Sequence, residues 1–173
     1  MPMSIRLENR VATFDVQSDA MEPTIARGRR LAVERFYYAH APLERWHIVL
    51  VLLSHVETDL IPDRLMHRDA AGRERELARP HFPYIKRVAG LPGETLRFTD
   101  REIFCDNRPL QIPHDLASSY SHFPGSTAFR FGASDYKVAE DAIFVLSDNL
   151  RTGIDSRQTG AVPLRCCLGR VVF

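Results

Sequence analysis

No apolar run in this chain approaches the length of a bilayer span. The longest, such as IVLVLL at 48–53, falls short of the roughly 18–20 residues a membrane-crossing helix needs, so nothing reads as a transmembrane segment. The opening MPMSIRLENR lacks the apolar centre of a secretory signal. As written, the chain is therefore expected in the cytosol; in a longer parent carrying an anchor, the expectation moves to the membrane surface or the periplasm. An excess of one charge is missing too, since 23 Lys and Arg against 22 Asp and Glu leave +1. That balance gives no reason to expect nucleic acid or an anionic membrane as the main partner. Cysteine is scarce: Cys105, Cys166 and Cys167 make an odd count with no CxxC spacing and no nearby His pair. They are expected to be reduced, buried small side chains, with no zinc site and no cofactor. No internal repeat or low-complexity tract is present.

What is present is a chain of 173 residues, 45% apolar, enough for one well-buried core and short for two domains. A single domain over 1–173 is expected. Runs rich in β-branched and aromatic residues recur at 30–36, 46–53, 84–88, 95–98, 102–105, 142–146 and 168–173. They are strand-length and separated by Pro, Gly, Asn and Asp, which predicts a mostly β fold with no long amphipathic helix. The run TDREIFCDNRPL at 99–110 reads as a hairpin arm turning near Thr99-Asp100 and Asp106-Asn107. A charged excursion over 59–79 and a Ser, Gly, His and Pro-rich loop over 113–134 interrupt the strands.

Three separated segments carry chemical residues. VQSDAMEPTI at 16–25 has the form of a nucleophile loop, with Pro23 restraining its own backbone and that of Glu22, but Ala20 stands where a hydroxyl would act. YIKRVAGLPGE at 84–94 puts Lys86 in an apolar strand that ends in a Gly-Leu-Pro-Gly turn. An inward lysine is desolvated, its pKa falls, and the neutral amine can serve as a general base. Strand alternation places either Lys86 or Arg87 on the core side and leaves the choice open. The third segment, 143–163, runs from an apolar strand into Ser147-Asp148-Asn149, then Asp155-Ser156-Arg157 and a Gly-x-Val-Pro turn.

Together these segments resemble the type I signal peptidase family, serine proteases that use a Ser/Lys dyad. The family's Ser-x-Ser-Met-x-Pro-Thr motif is matched by Ser18-Asp19-Ala20-Met21-Glu22-Pro23-Thr24 except at its third position. The resemblance runs from about Phe14 to the C-terminus. It implies a fold of two antiparallel sheet regions joined by long loops and a serine endopeptidase that cuts leader or signal peptides after small residues. By position, Lys86 is the general base, Ala20 occupies the nucleophile position, and Ser18 contributes to the oxyanion hole. Asp148, Asn149, Asp155, Ser156 and Arg157 are expected to support the site structurally, and Met21, Pro23 and Ile85 to bind substrate. The expected partner is a peptide or preprotein with small residues before the cut; no metal is expected.

Departures from the family pattern are specific. Leu150 follows Asn149 where the family continues with Arg, and Gly153 stands where some members carry a serine that orients the lysine. Trp46-His47 replaces a Gly-Asp pair that often opens the strand before the excursion. Ala20 then has three readings. It is an engineered Ser→Ala change that stops self-cleavage or traps a substrate, which needs the fewest assumptions; it is natural, in a pseudoprotease that binds extended peptides without cutting; or Ser18 is a shifted nucleophile, although Ser18 already has a place in the motif. Two other classes compete: the Ser/Lys self-cleaving repressors, for whose DNA-binding domain too few residues precede the motif, and a plain β-rich interaction module with Lys86 in solvent.

Overall fold

The structure, a computed structural model, describes residues 11–35, 37–53, 66–68, 74–76, 83–121 and 135–173. In chain order the strands are β1 (Val11–Asp15), β2 (Arg30–Glu34), β3 (Ile48–Leu52), β4 (Met66–Arg68), β5 (Glu74–Glu76), β6 (Pro83–Gly90), β7 (Thr95–Phe98), β8 (Ile103–Cys105), β9 (Arg108–Pro109), β10 (Tyr136–Lys137), β11 (Ala142–Leu146), β12 (Val162–Pro163) and β13 (Cys167–Val172). The α-helix among the described residues is α1 (Ser156–Thr159), a single turn. A seven-stranded antiparallel sheet has the order β1-β2-β13-β3-β6-β11-β12, a second sheet has the order β10-β7-β8-β9, and β4 pairs with β5. The mostly β expectation, with two sheet regions, holds.

Residue order explains which strands lie inside. β3 (IVLVL) and β11 (AIFVL) are apolar without alternation, as strands covered on both faces are. Alternate residues of β3 enter different clusters: Ile48 and Leu50 join Met21, Ile25, Leu31 and Val33, whereas Val49 and Val51 join Val88, Ile143 and Val145. The other face of β11 sends Phe144 and Leu146 against Leu96 and Ile103 of the second sheet, with Leu116, Tyr120 and Leu150 closing that cluster. β1 alternates between exposed and half-buried residues, which fits its place at the edge of the sheet.

The hairpin arm turns where expected. Asp106 and Asn107 take φ of 49° and 64°, a left-handed turn that Asp and Asn tolerate. Part of the charged excursion forms the β4–β5 pair; the rest of 59–79 lies outside the described residues. The 113–134 loop, of which 122–134 also lies outside them, is anchored by buried Leu116 and Tyr120. All three cysteines are free thiols, half-buried rather than buried, because each sits toward the rim of its cluster. Among the described residues no helix is long and apolar enough to cross a membrane.

Candidate functional site

The loop between β1 and β2 is closed at its base by Val16 N–H donating to Arg29 C=O (2.9 Å) and Gly28 N–H donating to Val16 C=O (2.8 Å). Met21 and Ile25 pin its inner side into the core, and Ile25 N–H bonds Met21 C=O at 2.8 Å. Asn149 clamps it from the far side of the chain. Its backbone N–H donates to Ala20 C=O (2.9 Å) and its side-chain amide to Asp19 C=O (3.3 Å). Position 20 is therefore held by hydrogen bonds that need no side chain there. Ala20 is 8% exposed.

A cleft of about 360 Å³ opens beside this loop, with Ser18 and Met21 on one wall and Tyr84, Ile85 and Lys86 of β6 on the other. Lys86 is 1% exposed. Burial lowers its pKa to about 8; Asp155 and Asp148 pull it up, and Arg157 pushes it down. No hydrogen bond reaches its amine among the described residues, and its nearest recorded aromatic contact is the Tyr84 ring, 5.7 Å from the Nζ. A group with a pKa near the working pH is suited to take and return a proton.

The choice between Lys86 and Arg87 facing inward does not arise, because both do: Arg87 is 6% exposed. β6 is covered on both faces, so alternation sends Lys86 toward the Val49, Val88 and Val145 side and Arg87 toward Asp148. Arg87 meets Asp148 through two parallel bonds of 2.7 and 2.6 Å. Its remaining donors reach Trp46 C=O (2.9 Å) and Thr24 Oγ1 (3.4 Å). Tyr120 O–H donates to Asp148 Oδ1 at 2.7 Å, and burial, with Asp148 adding, pushes that phenol well above its ordinary pKa. Trp46 presents its carbonyl from a backbone at φ 69°, the left-handed region in which a bulky residue is strained. The Trp46 ring packs on Tyr120, with ring centres 5.8 Å apart.

Asp155 caps α1 in a capping box with Gln158 and pairs with Arg157 at 2.8 and 2.9 Å. Its second oxygen also accepts from Ser147 N–H (2.8 Å), and Ser156 Oγ accepts from Val145 N–H (2.9 Å), so the turn is tied back to β11. Arg157 Nη2 donates to Gly153 C=O at 3.2 Å, while its Nη1 and the Ser147 hydroxyl are buried without a partner among the described residues. Ser18, Met21, Ile85 and Lys86 thus come together in one cleft. Pro23 is exposed and lines a separate depression with Glu22, Ser118 and Arg151. Among the described residues no group of three or more His, Cys, Asp or Glu is placed to hold a metal ion.

Sequence reasoning missed Tyr120 and Ser147. Tyr120 was a lone aromatic in a polar stretch, and only its separation from other apolar residues marked it. Ser147 was grouped with Asp148 and Asn149 on sequence alone.

Fold and site together describe a β-sheet scaffold that brings a buried amine to the wall of a cleft beside a clamped turn. The family model for signal peptidase, peptidase S26, matches residues 6–173, and the chain belongs to that family. Among its relatives, the Signal peptidase I V of Bacillus subtilis (strain 168) is 27% identical over 172 residues, covering 96% of this chain and 88% of the relative. The Signal peptidase I of Leptolyngbya laminosa is 29% identical over 157 residues, covering 91% of this chain and 64% of the relative. A crystal structure of a signal peptidase I from Enterococcus faecalis V583 superposes with a TM-score of 0.49 at 21% identity, covering 76% of this chain and 98% of that one.

Proposed function

We propose that this chain is a Ser/Lys-dyad endopeptidase of the signal peptidase I type, silenced by a Ser→Ala replacement at position 20, and that it is built as one domain. The observation that carries the reading is Lys86, buried and without a hydrogen bond to any described residue, on the wall of the cleft that also holds Ser18 and Met21. With serine at 20, the neutral Lys86 amine takes the hydroxyl proton as Oγ attacks the scissile carbonyl carbon. The oxyanion is met by the N–H of residue 20 and the Ser18 hydroxyl, neither of which donates to any described residue. The Lys86 ammonium then protonates the leaving amine, and an incoming water, deprotonated by the same amine, releases the acyl group. The substrate is an extended preprotein segment with small residues before the cut. Its apolar side chains would meet Phe14, Met21, Leu50 and Ile85 along the cleft.

Restoring Ala20→Ser tests this. The variant is expected to cleave an Ala-x-Ala peptide and to become labelled by a serine-acylating inhibitor, and Lys86→Met added to it abolishes both while the protein stays folded. No cleavage and no labelling by the restored serine sinks the reading. A second reading, a natural pseudoprotease, is favoured by Ala20 itself, whose loop stays clamped without a hydroxyl. It is distinguished by peptide binding that survives in the Ala20→Ser form with no turnover.

A further inference from the structure

The Ser147 side chain is fully buried at the end of β11, and its hydroxyl has no hydrogen-bond partner among the described residues. An orphaned buried hydroxyl is unfavourable, and an alanine there would avoid it. Its backbone is nonetheless fixed on both sides: Asp155 Oδ2 accepts from Ser147 N–H at 2.8 Å, and Tyr120 O–H donates to Ser147 C=O at 3.4 Å. The hydroxyl is therefore held in place with its own valences empty.

The register points to its neighbour. β11 pairs with β6 through Val145↔Val88 and Leu146↔Arg87, and extending that register one step past the end of β11 brings Ser147 opposite Lys86. Directly opposed residues share a face, with Cβ atoms about 4.5–5.5 Å apart. Val88 and Val145, each two residues from one member of the pair, pack in a single cluster, which is the same face. The space is taken up from the other side as well. A Cβ on Gly153 would lie 2.0 Å from Ser147 Oγ and 2.2 Å from Ser147 Cβ. Gly153 is thus not required by its backbone; it is required because Ser147 occupies the volume its side chain would fill.

We infer that Ser147 is the positioning residue for Lys86: its hydroxyl, seated in the space left by Gly153, accepts an N–H of the amine and turns the nitrogen lone pair toward position 20. This rests on Lys86 acting as the base. The amine makes no other hydrogen bond among the described residues; its Nζ lies 5.7 Å from the Tyr84 ring, and the proposed bond requires it to turn from there about its terminal torsions. The charged and titratable groups around it are Asp155 and Arg157 on the α1 side, Asp148 beyond β11 and Tyr84 on β6 itself, while β3 presents only Val49.

The chain has two lysines, Lys86 and Lys137, so Cε-labelled lysine gives two carbon resonances, assigned with Lys137→Arg. In the chain as it stands, the Lys86 resonance should titrate near pH 8. Ser147→Ala removes an acceptor that favours the ammonium, so the midpoint is expected to fall by about one unit, the worth of one hydrogen bond to a charged group. At pH 7 the variant should melt somewhat lower than its parent, because the bond to the ammonium is lost. In the Ala20→Ser background, Ser147→Ala lowers kcat about 10-fold or more with KM little changed and moves the acidic limb of the pH profile by the same amount. Ser147→Gly combined with Gly153→Ser returns a hydroxyl to the site and recovers part of the rate, once the new Cβ eases its 2.9 Å approach to Asn149 C=O. An unmoved Lys86 midpoint overturns the inference, as it would if the hydroxyl served Arg157 Nη1 through a water instead. If Ala20→Ser is inert, the dyad reading fails, and the titration still decides the place of Ser147.

Discussion

On its two faces β6 buries two cations in opposite ways. Arg87 has every side of its guanidinium engaged, with Asp148 on two bonds, Trp46 C=O, Thr24 Oγ1, and Tyr120 completing the carboxylate. Lys86, one residue earlier and more deeply buried, makes no hydrogen bond with any described residue. Both are withdrawn from water, so the difference lies in what replaces the water. A saturated ion pair fixes one arrangement and leaves nothing for chemistry. An amine desolvated without a partner keeps a lone pair to use and carries the energetic penalty of that arrangement.

The comparison breaks hardest on the Arg87 side. Asp148→Ala strands a buried guanidinium and removes the acceptor of Tyr120, and is expected to destabilise the protein by about 3–5 kcal/mol. Denaturant unfolding at neutral pH measures it. A loss below about 1 kcal/mol would mean that the pair is no better matched than a surface ion pair. Since Arg87 also holds Trp46 C=O, the strained turn before β3 should loosen with it, read as faster amide exchange at residues 46–48.

Much of this was legible in the sequence, and the rest was hidden for identifiable reasons. The strands 95–98 and 142–146 emerge with the bounds their apolar runs indicate. β1 passed unread because VATFD is short and sits at the sheet edge, where one face needs no apolar residue. Strand alternation separates Lys86 from Arg87 but says nothing of which faces are covered, so the double burial could come only from the packing of the second sheet and the 18–25 loop. Tyr120 sits in a stretch whose composition signals solvent. Gly153 and Leu150, which in the sequence stand out as departures from the family pattern, have structural causes: Leu150 is buried in the core, and Ser147 fills the space above Gly153. Six residues apart in sequence, that pair is visible only as a collision.

On the Lys86 side the sign reverses. Lys86→Met removes a desolvated charge and is expected to stabilise the protein at pH 7 by about 3 kcal/mol, the value of a fall from 10.5 to about 8. The pH dependence follows from which state holds the proton. Below pH 8 both folded and unfolded chains carry the ammonium, and the folded state bears its full burial penalty. Between about 8 and 10.5 the folded chain has shed the proton and the unfolded chain has not, so stability relative to Lys86→Met rises with pH across that window. A variant no more stable than its parent at pH 7, with a flat difference up to pH 10, would place the amine in water.

Tyr120→Phe gives the smallest and most selective effect. It deletes one donor to Asp148 Oδ1, leaves both Arg87 bonds in place, and keeps the ring against Trp46. The expected loss is about 1.5 kcal/mol, the lower end for a hydrogen bond to a charged group because Asp148 stays paired. A double-mutant cycle with Asp148→Ala sharpens the contrast: once the carboxylate is gone, removing the hydroxyl should cost little further, giving a coupling close to the whole single-mutant loss. Additive losses would show that Tyr120 holds the 113–121 turn through its ring alone. The Arg87 side would then be one ion pair rather than a network, and its difference from Lys86 a matter of a single partner.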